Sequence, residues 1–286
     1  MTILEVIQRS TDFLAKKGVP SPRLQVEHLM AHALRMPRMK LYLSFERALS
    51  QEQLDAVRAL VQRRGRREPL QYITGSAAFC GLELAVNPHV LSPRPETELL
   101  ADRAWKFLQD SSGPPSAPAA LDLGTGSGCL AIALAVNVPA AAIHATDACA
   151  QALALARDNA ARHHAAIQFH HGDLFAALPS PARFHLIISN PPYIPTARLA
   201  ELEPEVRDHE PRLALDGGAD GLDFYRRIAA EAGAFLEPDG RLMLELDDDG
   251  PEAAAEIFRQ QNWIVEPIEA DYNQRPRILI ARRQTV

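Results

Sequence analysis

Cysteine is scarce in this chain, and what there is does not pair. Cys80, Cys129 and Cys149 are the 3 cysteines among 286 residues. An odd count without close spacing argues for reduced thiols, against a disulfide framework and against zinc. The start, Met1-Thr2-Ile3-Leu4-Glu5, is acidic early and has no basic n-region, so no secretory leader is expected and the cytoplasm is the expected compartment. A long apolar run is also missing. The most apolar stretch, 129–143, is too short to span a bilayer and is broken by Asn137 and Pro139, so no membrane association is expected. Nor is positive charge in surplus: 30 Lys and Arg face 36 Asp and Glu, a formal net charge of −6. That argues against a general affinity for nucleic-acid backbone. His163, His164, His170 and His171 come as two pairs, but no carboxylate or cysteine stands at metal-site spacing beside them, and no metal is expected. No internal repeat is evident. With 47% hydrophobic and 23% charged residues, the composition suits one large domain and a small companion.

What is present centres on Ile187-Ile188-Ser189-Asn190-Pro191-Pro192-Tyr193. The mostly apolar run 184–188 reads as a buried strand, and two prolines stop it because they cannot continue a ladder. Asn190 precedes a proline and is pushed towards extended backbone, while Pro191 and Pro192 have φ fixed near about −65°. The strand therefore ends in a stiff rim of acceptors. The Asn190 side-chain oxygen and the Pro191 carbonyl can together accept both N–H groups of a primary amide or amine. Tyr193 can pack on a flat group held there and exclude water. Taken alone, the same residues also suit an ordinary turn after a strand.

The partner stretch is Leu121-Asp122-Leu123-Gly124-Thr125-Gly126-Ser127-Gly128, followed by a helical run over 129–136. Strand, glycine-rich turn and helix open a doubly wound nucleotide-binding fold. The spacing G-x-G-x-G differs from the dinucleotide fingerprint, and no Gly-Lys-Ser/Thr follows, which excludes a P-loop. Roughly 20 residues on, a strand over 141–146 ends in Asp147, the usual distance for a ribose-binding acid. A third strand, 166–171, ends at Gly172-Asp173-Leu174, where an acid and an apolar neighbour can border an adenine.

This set resembles the class I S-adenosylmethionine-dependent methyltransferases, and Asn-Pro-Pro-Tyr is similar to the motif of those that methylate planar nitrogen. Leu91-Ser92-Pro93-Arg94-Pro95-Glu96-Thr97-Glu98 narrows the resemblance to the release factor glutamine methyltransferases (the PrmC/HemK family), whose Arg-Pro-Glu-Thr-Glu signature it resembles. Glu68-Pro69-Leu70-Gln71-Tyr72-Ile73-Thr74-Gly75, Gly81-Leu82 and Asp216-Gly217-Gly218-x-x-Gly221-Leu222-Asp223 are similar to further blocks of that family. The resemblance implies an α/β, Rossmann-like domain with a seven-stranded mixed sheet and a small all-helical N-terminal domain joined to it by a β-hairpin. It implies S-adenosyl-L-methionine as cofactor, held by Gly124, Thr125, Gly126, Ser127, Gly128, Asp147, Asp173, Leu174 and Asn190. It implies Asn190, Pro191 and Tyr193 as catalytic residues and Asn190, Pro191, Pro192 and Tyr193 as substrate contacts. The substrate implied is the side-chain amide (N5) of the glutamine in the Gly-Gly-Gln loop of peptide-chain release factors. A monomer without stably bound nucleic acid is the expected state. Glutamine methylation on a ribosomal protein, adenine-N6 methylation of RNA or DNA, and a non-catalytic cofactor-binding adaptor are the competing readings.

Taken in order, 2–17 reads as an amphipathic helix with Ile3, Ile7 and Leu14 inward and Gly18 as its stop. Ser21-Pro22 opens a second helix carrying Leu24, Leu29, Met30, Ala33 and Leu34. Ser50 with Gln53 forms a capping box for a third, with Leu54, Val57 and Val61 inward and Gly65 as stop. A helical substrate-recognition domain is thus expected over 1–80 and the methyltransferase domain over 81–286, with a linker hairpin about 79–95. Arg63, Arg64, Arg66 and Arg67 read as a solvated helix terminus complementing the helix dipole, or as a contact for RNA or an acidic partner. Further on, a helix is expected from Pro95 to near Gln109 and a Ser-, Gly- and Pro-rich surface loop over 110–118. Beyond these come a partly helical acidic stretch over 197–208, a helix over 224–235, a strand over 240–246, and a terminal antiparallel pair, 263–270 with 276–282.

Overall fold

The computed structural model describes residues 1–111, 117–179, 181–248, 250–271 and 273–284. They form two compact units, one of residues 1–76 with 202–209, the other of residues 77–201 with 210–286.

The first unit is helical: α1 (Ile3–Lys16), α2 (Pro22–Ala33), α3 (Arg38–Tyr42), α4 (Gln51–Gly65) and α5 (Leu70–Thr74). α1 opens on a capping box, the Thr2 hydroxyl accepting from the Glu5 N–H and the Glu5 carboxylate from the Thr2 N–H. The expected Ser50–Gln53 box opens α4. Ile3, Ile7, Leu14, Leu29, Met30 and Val57 fill the core, whereas Leu24 lies on the exposed side of α2. Gly65 is the last residue of α4 and not its stop; the left-handed residue comes later, at Arg67 with φ 68°. Of the four arginines at the end of α4, Arg66 is exposed, whereas Arg63, Arg64 and Arg67 are paired and form no free basic patch. Arg64 donates to Glu205 at 2.7 Å and to Gln25 at 2.9 Å, Arg67 donates to Glu205 at 2.6 Å and to Glu203 at 3.0 Å, and Arg63 donates to Glu68. Glu203 and Glu205 lie on 202–209, around the single helical turn Pro204–Arg207. This explains why a segment so late in the sequence belongs to the helical unit.

The second unit begins with the hairpin β1 (Ser76–Phe79) and β2 (Leu82–Ala85), followed by α6 (Pro95–Asp110). Then alternate β3 (Ala119–Leu123), α7 (Cys129–Asn137), β4 (Ala142–Asp147), α8 (Ala150–Arg162), β5 (Ile167–His171) and β6 (Phe184–Ser189). α9 (Asp223–Glu231), β7 (Leu236–Glu245), α10 (Pro251–Gln260), β8 (Trp263–Val265), β9 (Glu269–Ala270) and β10 (Pro276–Arg283) complete the chain. Of the loop expected over 110–118, residues 112–116 lie outside the described residues. The strand order is β5-β4-β3-β6-β7-β10-β8, with β9 also on β10. β3 to β7 pair parallel and β10 runs antiparallel to β7, which gives the mixed sheet. β8 and β9 are one strand position interrupted before β9, where Pro267 cannot donate to a ladder. The α10 helix, which the sequence reading left out, opens with proline at its first position after Gly250 at φ 99°.

Both sheet faces are covered, as a parallel sheet requires. Ala120, Leu186 and Ile188 join the core beneath α6 and α7, while Leu121, Leu123 and Ile187 join the core beneath α9 and α10. One fully buried amide fastens the hairpin to this body. Asn159 on α8 accepts from the Ala85 N–H at 2.8 Å and donates to Ala85 O at 3.0 Å and to Ser127 O at 2.9 Å. Replacing Asn159 with Ala removes the partner of three backbone groups, two of them part-buried, and we expect a loss of about 2–4 kcal/mol in urea denaturation, with an unchanged m-value.

Candidate active site

The chain leaves β3 for β4 and β5 on one side and returns to β6 on the other, so the direction of winding reverses between β3 and β6. Loops diverge at such a point and leave a crevice at the carboxyl ends of the strands. Leu123 and Ser189 are register partners there, and the Ser189 hydroxyl donates to Leu123 O at 2.7 Å. The glycine loop starting at Gly124 and the rim starting at Asn190 therefore emerge side by side. Asp147 ends the next strand over, and Asp173 follows the one beyond.

The glycine loop is held from below. Gly124 N–H and Thr125 N–H both donate to Thr146 O at 2.9 Å, and Gly126 N–H donates to Asp147 Oδ2 at 2.8 Å. The second carboxylate oxygen of Asp147 accepts from Cys149 N–H at 2.8 Å, so each oxygen keeps a lone pair for a further donor. Gly124 and Gly126 have positive φ, and nothing among the described residues lies within 4 Å of where a Cβ would project. The backbone there faces open space, a cradle that an adenosine-type cofactor with an amino-acid tail fits. At Gly128 the reason for glycine differs: a Cβ would come within 3.2 Å of Ala156 Cβ on α8. Thr125 and Ser127 are buried, and the Thr125 hydroxyl donates to Asp122 at 2.6 Å.

Asp122 was legible only as part of the glycine motif. It is 1% exposed, accepts from Thr125 and from Ala131 N–H, and its other oxygen has no partner among the described residues. Burial pushes its carboxyl up to about 7, against those two hydrogen bonds. Burial likewise raises Asp147. Asp173 lies at the exposed margin, paired to Arg227 at 2.7 Å. Leu174 turns inward into the core beside Phe175, at φ 46°.

On the rim, Pro191 is buried and Asn190, Pro192 and Tyr193 are half-buried. Asn190 Nδ2 donates to Thr97 Oγ1 at 3.3 Å, and Thr97 donates to Glu245 Oε2 at 2.6 Å. Among the described residues, no donor reaches Asn190 Oδ1 or the Pro191 carbonyl. Two adjacent acceptors are thus left open. Tyr193 packs against the core that contains Tyr225 and borders a pocket with Pro195, Leu222 and Leu246. Its backbone is clamped by the Gly217–Gly221 turn: Gly217 N–H donates to Ile194 O at 2.8 Å, and a Cβ on Gly221 would sit 2.3 Å from Tyr193 O.

Thr97 and Glu245 are the residues that sequence reasoning missed. Thr97 stands in the Arg-Pro-Glu-Thr-Glu stretch, two of whose other members also have partners: Arg94 donates to Glu210 at 2.5 Å and Glu98 accepts from Cys80 N–H at 2.8 Å. Glu98 is therefore more than a dipole-complementing acid. For Glu245, the available signal was a lone acid inside the apolar run Leu242-Met243-Leu244-Glu245-Leu246. Among the described residues no group of three or more His, Cys, Asp or Glu could hold a metal ion, and no helix is long and apolar enough to cross a membrane. His170 instead contacts His144 at 3.1 Å, and His163 and His171 contact backbone carbonyls.

The sheet order and the crevice beside Gly124 define a class I methyltransferase fold. Solved structures agree: a methyltransferase from Pyrococcus furiosus superposes with TM-score 0.53 at 20% identity, covering 77% of this chain and 97% of that one. The T. thermophilus 16S rRNA N2 G1207 methyltransferase, in complex with AdoMet and guanosine, gives 0.50 at 20%, covering 73% and 50%. Family models for the PrmC N-terminal domain and the methyltransferase small domain match residues 5–75 and 101–201. The release factor glutamine methyltransferase of Geobacter sulfurreducens is 48% identical over 92% of this chain and 90% of its own length. That of Chlorobaculum tepidum is 40% identical over 99% and 98%. The chain belongs to the release factor glutamine methyltransferase family.

The buried Asp122 gives a pH signature. Its carboxyl titrates at about 7 when folded and near its ordinary 3.8 when unfolded, so the folded state binds more protons between those values. Stability of the cofactor-free protein is lost as pH rises through that window and levels above it. Asp122→Asn should remove this share of the decline, on the order of a few kcal/mol, in urea midpoints measured from about pH 5 to 8.

Proposed function

We propose that this protein methylates the side-chain amide nitrogen (N5) of the glutamine in the Gly-Gly-Gln motif of peptide-chain release factors, using S-adenosyl-L-methionine. The observation that carries the reading is the open acceptor pair, Asn190 Oδ1 and Pro191 O, beside a glycine cradle at the switch point of the sheet. Gly124, Thr125, Gly126, Ser127 and Gly128 would hold the amino-acid end of the cofactor and Asp147 its ribose, with Asp173 and the backbone of Leu174, whose side chain is in the core, bordering the adenine and Asn190 closing the site. When bound, the cofactor supplies an electrophilic methyl carbon.

Asn190 and Pro191 accept the two N–H groups of the substrate amide and fix its plane, which discourages delocalisation of the nitrogen lone pair and aims it. Pro192 and Tyr193 wall the amide and keep water out. No base is needed before transfer, because the amide proton becomes acidic only once nitrogen carries its new bond. A glutamate side chain is rejected, since its carboxylate would face two acceptors with no donor between them. In this reading the helical unit recognises the release factor, and the enzyme is a cytoplasmic monomer that keeps no nucleic acid bound.

Labelled cofactor offered with release factor, ribosomal protein or nucleic acid tests the assignment: label should appear on release factor glutamine, and label on nucleic acid alone would refute it. Asn190→Ala should cost about 2–4 kcal/mol of transition-state stabilisation in single turnovers at saturating cofactor. Asp147→Ala should instead weaken cofactor binding in calorimetry, since it removes both the ribose acceptor and the anchor of Gly126 N–H.

A further inference from the structure

An amide side chain has two nearly isosteric ends, and only one of them can accept the substrate's N–H. Something must therefore decide which end of Asn190 faces the crevice. Thr97, on the first turn of α6 and 2% exposed, sits between Asn190 and Glu245, the last residue of β7 and 1% exposed. A hydroxyl carries one proton. When Thr97 gives it to the Glu245 carboxylate, 2.6 Å away, its oxygen is left as an acceptor only. Asn190 can then meet it only with Nδ2, 3.3 Å away, which leaves Oδ1 for the substrate. Were Glu245 protonated, it would become the donor to Thr97, the Thr97 proton could turn to Asn190, and the amide could present Oδ1 inward and NH2 outward. The substrate amide would then meet a donor.

We propose that Thr97 and Glu245 are positioning residues for methyl transfer, with the Glu245 carboxylate and the Thr97 hydroxyl holding the Asn190 amide so that its oxygen faces the substrate. The inference rests on the glutamine-amide reading of the site. Other features suit this role. The Tyr225 hydroxyl donates to the Glu245 backbone carbonyl at 2.8 Å, which fixes the strand end. The charged and titratable groups facing Glu245 are Arg277 from β10, Arg94 and Glu96 from the start of α6, Tyr193 from the rim and Tyr225 from α9. Burial drives the carboxyl up to about 7, while the Thr97 hydrogen bond and the two arginines oppose it and Glu96 adds to it. The relay is thus poised to change its sense near neutral pH.

Single-turnover transfer to release factor at saturating cofactor, followed across pH, reads this directly. The wild-type rate should rise through about 7 as Glu245 ionises, and Glu245→Gln should flatten that limb; a limb that persists in E245Q overturns the proposal. Thr97→Val should lower the rate about 10- to 100-fold, and Thr97→Ser should restore it to within about threefold. Equal rates for T97V and wild type would also overturn it. A second readout needs neither substrate nor the Val variant: the 15N side-chain amide resonance of Asn190 should titrate with pH in wild type and stay fixed in E245Q. If wild type puts no label on release factor, the proposed function fails, while the Asn190 titration still decides whether the relay exists.

Discussion

The pairing of β3 with β6 is the constraint from which the site follows. These two strands are neighbours in space but separated in sequence by two strand–helix units that wind to one side before the chain doubles back. Because they run parallel and in register at Leu123 and Ser189, everything after each of them begins at the same level. One strand then releases a loop that bends away and shows bare backbone. The other releases a loop that prolines hold straight. Had the register slipped by one residue, the alternation that buries Ile187 on one face and Ile188 on the other would have failed on both faces.

The polar groups around the crevice are costly where they lie, and each has a reason to be tolerated. Asp122 and Glu245 are carboxyls in nearly dry surroundings, and each is met by a threonine hydroxyl one layer closer to the site. A hydroxyl suits this task because it can either give or take a proton without changing shape. Tyr193 is fixed differently. Its backbone passes so close to Gly217 and Gly221 that no side chain fits between them, so the Asp-Gly-Gly block downstream serves the rim from behind.

Much of this was legible in the sequence because it is local. The Thr2-to-Lys17 and Ser50-initiated helices, the three strands ending in Gly124, Asp147 and Asp173, and the strand ending in Asn190 each carry their own periodicity and stop signals. The crevice was legible too, since the order of strand–helix units fixes where the winding reverses. What was not legible is pairing between distant residues. Arg64 and Arg67 looked like surface charge because their acids lie more than a hundred residues away. Thr97 looked like a residue in a helix start because nothing near it in sequence reveals Glu245. The α10 helix went unread although it has a clear inward face of Ala254, Ala255 and Phe258 opposite Glu252, Glu256 and Arg259.

The segment 202–209 has a consequence for how this protein can be taken apart. The backbone passes from one unit to the other after residue 76, crosses back after 201 and returns after 209. No single cut separates the two. A fragment beginning at residue 77 would carry away Glu203 and Glu205 while leaving behind the arginines that neutralise them, and would expose that stretch as an acidic flap directly following the rim. The helical unit is therefore interwoven with the catalytic one at the level of the gene. A swap of helical units between relatives would have to exchange both pieces together.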